Sequence, residues 1–222
     1  MNAVAANATR HDTTLDAGVD ALQLALSRQQ RASIVAYLAL LDKWNRSYNL
    51  TAIREPAKMI THHALDALAV LPQLPPQASG AAVLHVLDVG TGGGIPGVLF
   101  AIARPQWQVT LLDANHKKGA FLTQAVIELA LANVSVAVSR VEDYRPPALF
   151  DIVVSRAYAT LAEFVAGAAR HVAPGGTLLA MKGVMPDAEI AALPVHVRVT
   201  RACTLDVPGL AAARSLVTID VH

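Results

Sequence analysis

Several polar residues close short apolar runs, where a folded chain can bring them together. Asp88 ends "VLHVLDV" and leads into "GTGGGIPG", Asp113 ends "WQVTLLD", Glu142 follows "VSVAVS" within "SRVEDY", and Arg156 ends "FDIVVSR". Lys182 closes a fifth run, "GGTLLAMK". Glycines at a strand-to-helix junction let a ligand approach the backbone, and the helix start behind them offers free N–H groups. Gly90, Gly92 and Gly94, followed by Ile95 and Gly97, therefore mark a place for a nucleotide-type cofactor.

Two cofactors compete for this turn. Gly92, Gly94 and Gly97 satisfy G-x-G-x-x-G, and Asp113 follows at about the separation at which a carboxylate binds the ribose of NAD. Asp88, two positions before the first glycine, is instead typical of S-adenosylmethionine enzymes, where a carboxylate helps hold the charged methionine end. Glu142 and Asp143 stand where such enzymes meet the adenine. The methyl donor is the preferred reading, and a purely structural Asp88 bonded to the turn amides is the plain alternative.

The tip at Arg156 bears on the acceptor. Methyltransferases that modify exocyclic amines commonly carry an Asn- or Asp-Pro-Pro-Tyr motif there, and this chain reads "SRAYA". A guanidinium suits an electron-rich acceptor such as the O6/N7 edge of guanine, or a phosphate. Guanine N7 has a lone pair and no hydrogen, so its attack on a methyl sulfonium requires no general base. Lys182 joins Arg156 as a second candidate for clamping the target. The alternative for Arg156 is a pairing with Asp88 or Asp113 beneath the cofactor. His62, His63 and Asp66 read more simply as a His63–Asp66 bond docking helices onto a sheet than as a metal or catalytic cluster. In "KWNRSYNLTAIRE", Trp44 and Tyr48 belong to an apolar helix stripe, while Lys43, Arg46 and Arg54 are candidates for RNA contact. Lys117 and Lys118 oppose the dipole of the helix that they start, a mismatch that suits phosphate contact.

Holding strand tips side by side requires an α/β sheet. After Gly80 the apolar runs alternate with helical segments at 95–103, 117–131 and 161–171, which predicts βαβ units in a mostly parallel, doubly wound sheet. "VHVRVTRACTLDVPG" and "RSLVTIDV" predict a closing β-hairpin. Upstream, apolar residues at helical spacing predict two helices between Leu15 and Tyr48 with a break near Ser27, then a helix after Pro56 that stops at "PQLPPQASG". The expected division is a disordered leader over 1–14, a helical extension and linker over 15–80, and a Rossmann-like cofactor-binding domain over 81–222.

The 222 residues are 54% hydrophobic and 16% charged, which argues against disorder, and prolines and charges interrupt every run long enough for a membrane helix. The N-terminus lacks a basic head followed by an apolar stretch, so a cytoplasmic location is expected. Cys203 stands alone and is given no function. A formal net charge of +1 neither demands nor forbids nucleic acid, so an RNA substrate would need a local patch.

These motifs resemble one family. "LLDKWNRSYNLTAIRE", "HHALDALAV", "LDVGTGGGIPG", "LLDANHKK", "SRVEDY", "VVSRAYA" and "LLAMKG" together are similar to the 16S ribosomal RNA guanine-N7 methyltransferases, also called glucose-inhibited division protein B. The resemblance covers nearly all of the chain after the leader. It implies a bacterial cytoplasmic enzyme, expected to be a monomer, that moves a methyl group from S-adenosylmethionine to N7 of one guanine in small-subunit ribosomal RNA, within the subunit or an assembly intermediate. Carried over by motif, the cofactor positions are Gly90, Ile95, Val141, Glu142 and Arg156. Two departures, Ala67 for a usual serine and Gly93 for a common proline, look tolerable. An NAD-linked oxidoreductase and a non-catalytic RNA-binding or assembly factor are the rival classes.

Overall fold

The computed structural model describes residues 13–74, 83–156 and 160–221. A first helix, α1, covers 13–21, so Thr13 and Thr14 of the expected leader are helical; residues 1–12 lie outside the described residues. Helix α2 spans Arg28–Tyr48 and starts where the break was expected. The Ser27 hydroxyl accepts from the Gln30 N–H while the Gln30 side chain accepts from the Ser27 N–H. Gln30 also donates to the Ile102 carbonyl at 2.8 Å, tying this cap to the end of a sheet-flanking helix.

Ile34, Tyr37, Leu38 and Leu41 recur on the buried side of α2, and Asn45 completes their stripe. Trp44 and Tyr48 stand beside it. Trp44 stacks on Tyr48 at 5.1 Å and meets Phe121 at 5.7 Å, while Tyr48 is 41% exposed. The helix expected after Pro56 comes in three pieces: α3 (Pro56–Met59), a π turn (Ile60–Leu65) and α4 (Asp66–Leu68). Residues 75–80 of the predicted proline-rich linker, and 81–82 after it, lie outside the described residues.

The sheet has seven strands, β1 (His85–Val89), β2 (Gln108–Asp113), β3 (Val134–Val138), β4 (Phe150–Arg156), β5 (Val172–Lys182), β6 (Val197–Thr204) and β7 (Ser215–Val221). Their order is β3-β2-β1-β4-β5-β7-β6, parallel from β3 through β5, with β7 antiparallel to both of its neighbours. The predicted hairpin is therefore present, with β7 inserted between β5 and β6. Helices α5 (Gly97–Ala103), α6 (His116–Glu128), α7 (Leu161–Ala168) and the unforeseen α8 (Asp187–Ala191) connect the strands.

Strand alternation divides the interior in two. Val86, Leu111, Val154 and Leu179 face a core shared with Leu15, Ile34, Leu41 and Leu65, whereas Leu87, Leu112, Val153 and Leu178 face Leu161 and Phe164 of α7. The N-terminal helices thus form one wall of the same core as the sheet. Trp107 is fully buried in that core, edge-on to Phe100 at 6.0 Å. The strand order reverses beside β1, and the crevice at such a switch point is where ligands bind in open α/β sheets.

Candidate active site

Asp88 lies fully buried beneath the glycine turn. Its Oδ2 accepts from the Thr91 hydroxyl at 2.5 Å and from the Gly97 N–H at 2.8 Å, while Oδ1 has no hydrogen-bond partner among the described residues. Burial pushes this carboxyl up to about 6, against the opposing pull of those bonds and of the Arg156 charge. Asp88 therefore does the turn-bonding task and leaves its other, buried oxygen unpaired among the described residues.

The glycines of the turn divide by what they face. A Cβ on Gly97 would stand 2.3 Å from Leu111 and 2.8 Å from Asp88 Oδ2, and one on Gly94 would stand 2.6 Å from Val98. Gly97 thus lets the helix press onto the sheet, and Gly94 lets the turn pack against Val98 of that helix and Leu122 of α6. Gly90, at φ +66°, has nothing within 4 Å of such a Cβ, so its face of the backbone is open to a ligand. From behind, the buried Tyr37 hydroxyl donates to the Gly93 carbonyl at 2.5 Å, and burial raises its pKa so that the proton stays. Asp113 ties the turn to the β2 tip: Oδ2 accepts from the Gly92 N–H at 2.9 Å and from Lys118 at 3.3 Å, and Oδ1 from the Asn115 N–H at 2.9 Å. One of the two helix-start lysines thus pairs with the predicted ribose carboxylate.

A cavity of about 490 Å³ opens in front of the turn. It gathers Gly90, Gly92, Ile95, Arg156 and Lys182 from the expected set. Asp88 and Gly94 sit below and behind the turn, and Asp113, Val141 and Glu142 do not line this cavity. Val141 and Glu142 follow β3 instead, where the Val141 carbonyl accepts from His171 at 2.9 Å and from Arg170, and Glu142 is exposed. Burial lowers the pKa of His171.

Arg156 pairs with neither Asp88 nor Asp113. Its NH1 donates to the His62 carbonyl at 3.0 Å and to Asp66 Oδ2 at 3.3 Å, because the π-turn segment stands over the β4 tip. The expected His63–Asp66 bond gives way to other partners. His63 Nε2 bonds the Thr51 hydroxyl at 2.8 Å, and Asp66 takes Arg156 and the Arg214 Nε, the latter at 3.0 Å. A π turn closes over five residues, so positions three apart do not stack as they do in an α-helix. Burial and the Arg156 charge bring His63 down to about 4, leaving a neutral ring. Lys182 reaches Glu189 of α8 at 2.9 Å. Burial works to raise the Glu189 carboxyl, but the bonds from Lys182 and the Leu161 N–H outweigh it and hold it below its ordinary value.

Two contributors escape a reading of the sequence. Arg214 lines the cavity because β7 runs antiparallel with Ser215 opposite Lys182, so the head of the last strand meets the tips of the parallel ones. That orientation was the available signal. Asn45, 2% exposed, accepts from the Thr51 N–H at 2.9 Å and so holds the 50–53 loop that forms another wall. Among the described residues no three His, Cys, Asp or Glu side chains group to hold a metal, and no helix is long and apolar enough to cross a membrane.

The profile of the GidB family, described as rRNA small subunit methyltransferase G, matches residues 30–217. The chain belongs to that family. Its relatives include "Ribosomal RNA small subunit methyltransferase G" of Laribacter hongkongensis, 52% identical over 208 residues that cover 94% of this chain and 97% of the relative. The protein of the same name in Burkholderia pseudomallei is 52% identical over 211 residues, covering 93% and 90%. Solved structures share the fold at low identity. TrmN from Thermus thermophilus superposes with a TM-score of 0.55 at 19% identity over 73% of this chain and 53% of that one. The glycopeptide N-methyltransferase MtfA complexed with S-adenosylmethionine gives 0.57 at 13% identity over 72% and 96%.

Proposed function

We propose that this member of the rRNA small subunit methyltransferase G family transfers the methyl group of S-adenosylmethionine to N7 of a guanine in 16S ribosomal RNA. The observation that carries the reading is the switch-point cavity, which the open backbone of Gly90 and the Arg156 side chain both line. Gly90, Gly92 and Ile95 hold the cofactor at the turn, which the buried Asp88 carboxyl braces from beneath. Asp113, Val141 and Glu142 hold its nucleoside end on the β2–β3 side. When bound, the cofactor supplies an electrophilic methyl group on a sulfonium. Arg156 and Lys182 face the target, which they orient through its electron-rich edge or its phosphate.

No residue needs to take a proton from guanine N7, so the chain's task is alignment in a line and exclusion of water. The N-terminal segment, described as far as residue 74, supplies the Thr51 and His62 walls and helps present the RNA. The net charge of +1 offers little counterion release, which favours a preformed protein–RNA surface of the small subunit or an assembly intermediate over naked RNA. The enzyme acts as a cytoplasmic monomer.

Mapping of methylated guanines on 16S RNA, with and without the protein, tests the reaction; an unchanged map removes it. Calorimetry tests the cofactor, and tight NAD binding without S-adenosylmethionine binding would overturn that assignment. Arg156→Ala is expected to depress turnover per folded molecule by about 100-fold or more, far more than it depresses stability. Unaltered turnover in that variant takes Arg156 out of the site.

A further inference from the structure

Arg156 and Arg214 reach the cavity from β4 and from the head of β7, with β5 between them in the sheet. Long cationic side chains on separate strands have no intrinsic reason to share an orientation. Here both end on one carboxylate, with Asp66 Oδ2 at 3.3 Å from Arg156 NH1 and Oδ1 at 3.0 Å from Arg214 Nε. The Asp66 side chain is 2% exposed, whereas those of Arg156 and Arg214 are 25% and 23% exposed and line the cavity.

The backbone under Asp66 contributes as well. In a regular α-helix its N–H would bond the His62 carbonyl, four residues back. In this π turn it donates instead to the Thr61 and His63 carbonyls, and the His62 carbonyl accepts from Arg156 at 3.0 Å. Such turns recur at functional sites. Arg156 is thereby held by His62, Asp66 and, at 3.4 Å, His63 Nδ1, all from outside the sheet.

The charge count points the same way. One carboxylate against two guanidinium groups leaves a positive charge on the cavity wall. A buried carboxylate paired with cations is in any case a weak source of stability, so stability alone does not account for the arrangement.

We propose that Asp66 is a positioning residue of the methyl-transfer site. It fixes both guanidinium groups so that their remaining N–H groups and the surplus charge meet the electron-rich target nucleotide as a preformed fork. The inference rests on the reading that Arg156 faces the target.

The test is Asp66→Asn, alone and combined with Arg214→Gln, with methyl transfer to small subunits, cofactor calorimetry and melting temperature as readouts. Asp66→Asn is expected to lower kcat/KM for the RNA by about tenfold or more per folded molecule, with cofactor affinity within about threefold. In the Arg214→Gln background the same substitution should lose only about threefold, because one of the two groups it positions is gone. Equal losses in both backgrounds, or a loss explained by the folded fraction alone, would overturn the proposal. Should Asp66→Asn alone not fold, the double variant has the net charge of Arg214→Gln plus one and is compared with it directly; identical kcat/KM for these two sinks the idea. Arg156→Ala separates the two readings. If it retains turnover, the assignment of the site fails; if it abolishes turnover while Asp66→Asn does not matter, only the positioning role fails.

Discussion

Asp88 and His63 bring opposite pH linkages into one range. Burial raises Asp88 from 3.8 to about 6, so its contribution to stability is complete below the unfolded value and is lost as pH rises through about 6. Burial and Arg156 lower His63 from 6.5 to about 4, so its contribution is complete above 6.5 and is lost as pH falls through about 4. Between those limits the two oppose each other. Relative to the wild type, Asp88→Asn is expected to make melting temperature climb more steeply with pH over that window, and His63→Gln to make it climb less or fall. Scanning calorimetry across the window decides it, and profiles parallel to the wild type would show that neither group titrates as its burial requires.

At the scale of elements, the turn between β1 and α5 separates stability from ligand access. Gly97→Ala forces a methyl group against Leu111 and Asp88, and is expected to cost about 1–3 kcal/mol or more in urea unfolding. Gly90→Ala meets no neighbour and should cost only about 1–2 kcal/mol for its positive φ, yet it should weaken S-adenosylmethionine binding by filling the face that the cofactor approaches. Undiminished affinity in Gly90→Ala would sink that assignment. The strands and long helices were legible because their apolar residues repeat at periods of two and of three to four. Helix α8 was not legible: none of its five residues is fully buried, and a single partly covered apolar residue, Ile190, leaves no periodic pattern. Nor does sequence separate a π turn from an α-helix at 60–65, since the difference is one hydrogen-bond step. The partners of Arg156 lie some ninety residues upstream, and no local signal encodes that meeting. The strand-tip residues could be listed in advance, but which of them share the cavity depended on where the N-terminal segment crosses the sheet.

The whole molecule behaves as one packed body around its sheet. Leu15, Ile34 and Leu41 share a core with Val86 and Val154, and the segment also delivers Tyr37 to Gly93 and Asp66 to Arg156. A chain lacking residues 1–54 is expected to lose cooperative unfolding and cofactor binding together, as measured by calorimetry. A truncated protein that melts sharply and still binds the cofactor would make the helices a dispensable attachment. The two tryptophans turn this arrangement into an optical instrument. Trp107, enclosed beside Phe100, should emit at short wavelength until the interior itself opens, whereas Trp44, ring-stacked on Tyr48 where α2 meets α6, should respond to events along the outer helix. With each replaced in turn by Phe, the fluorescence of the other would time events at α2 and loosening of the interior as separate signals, without any attached dye.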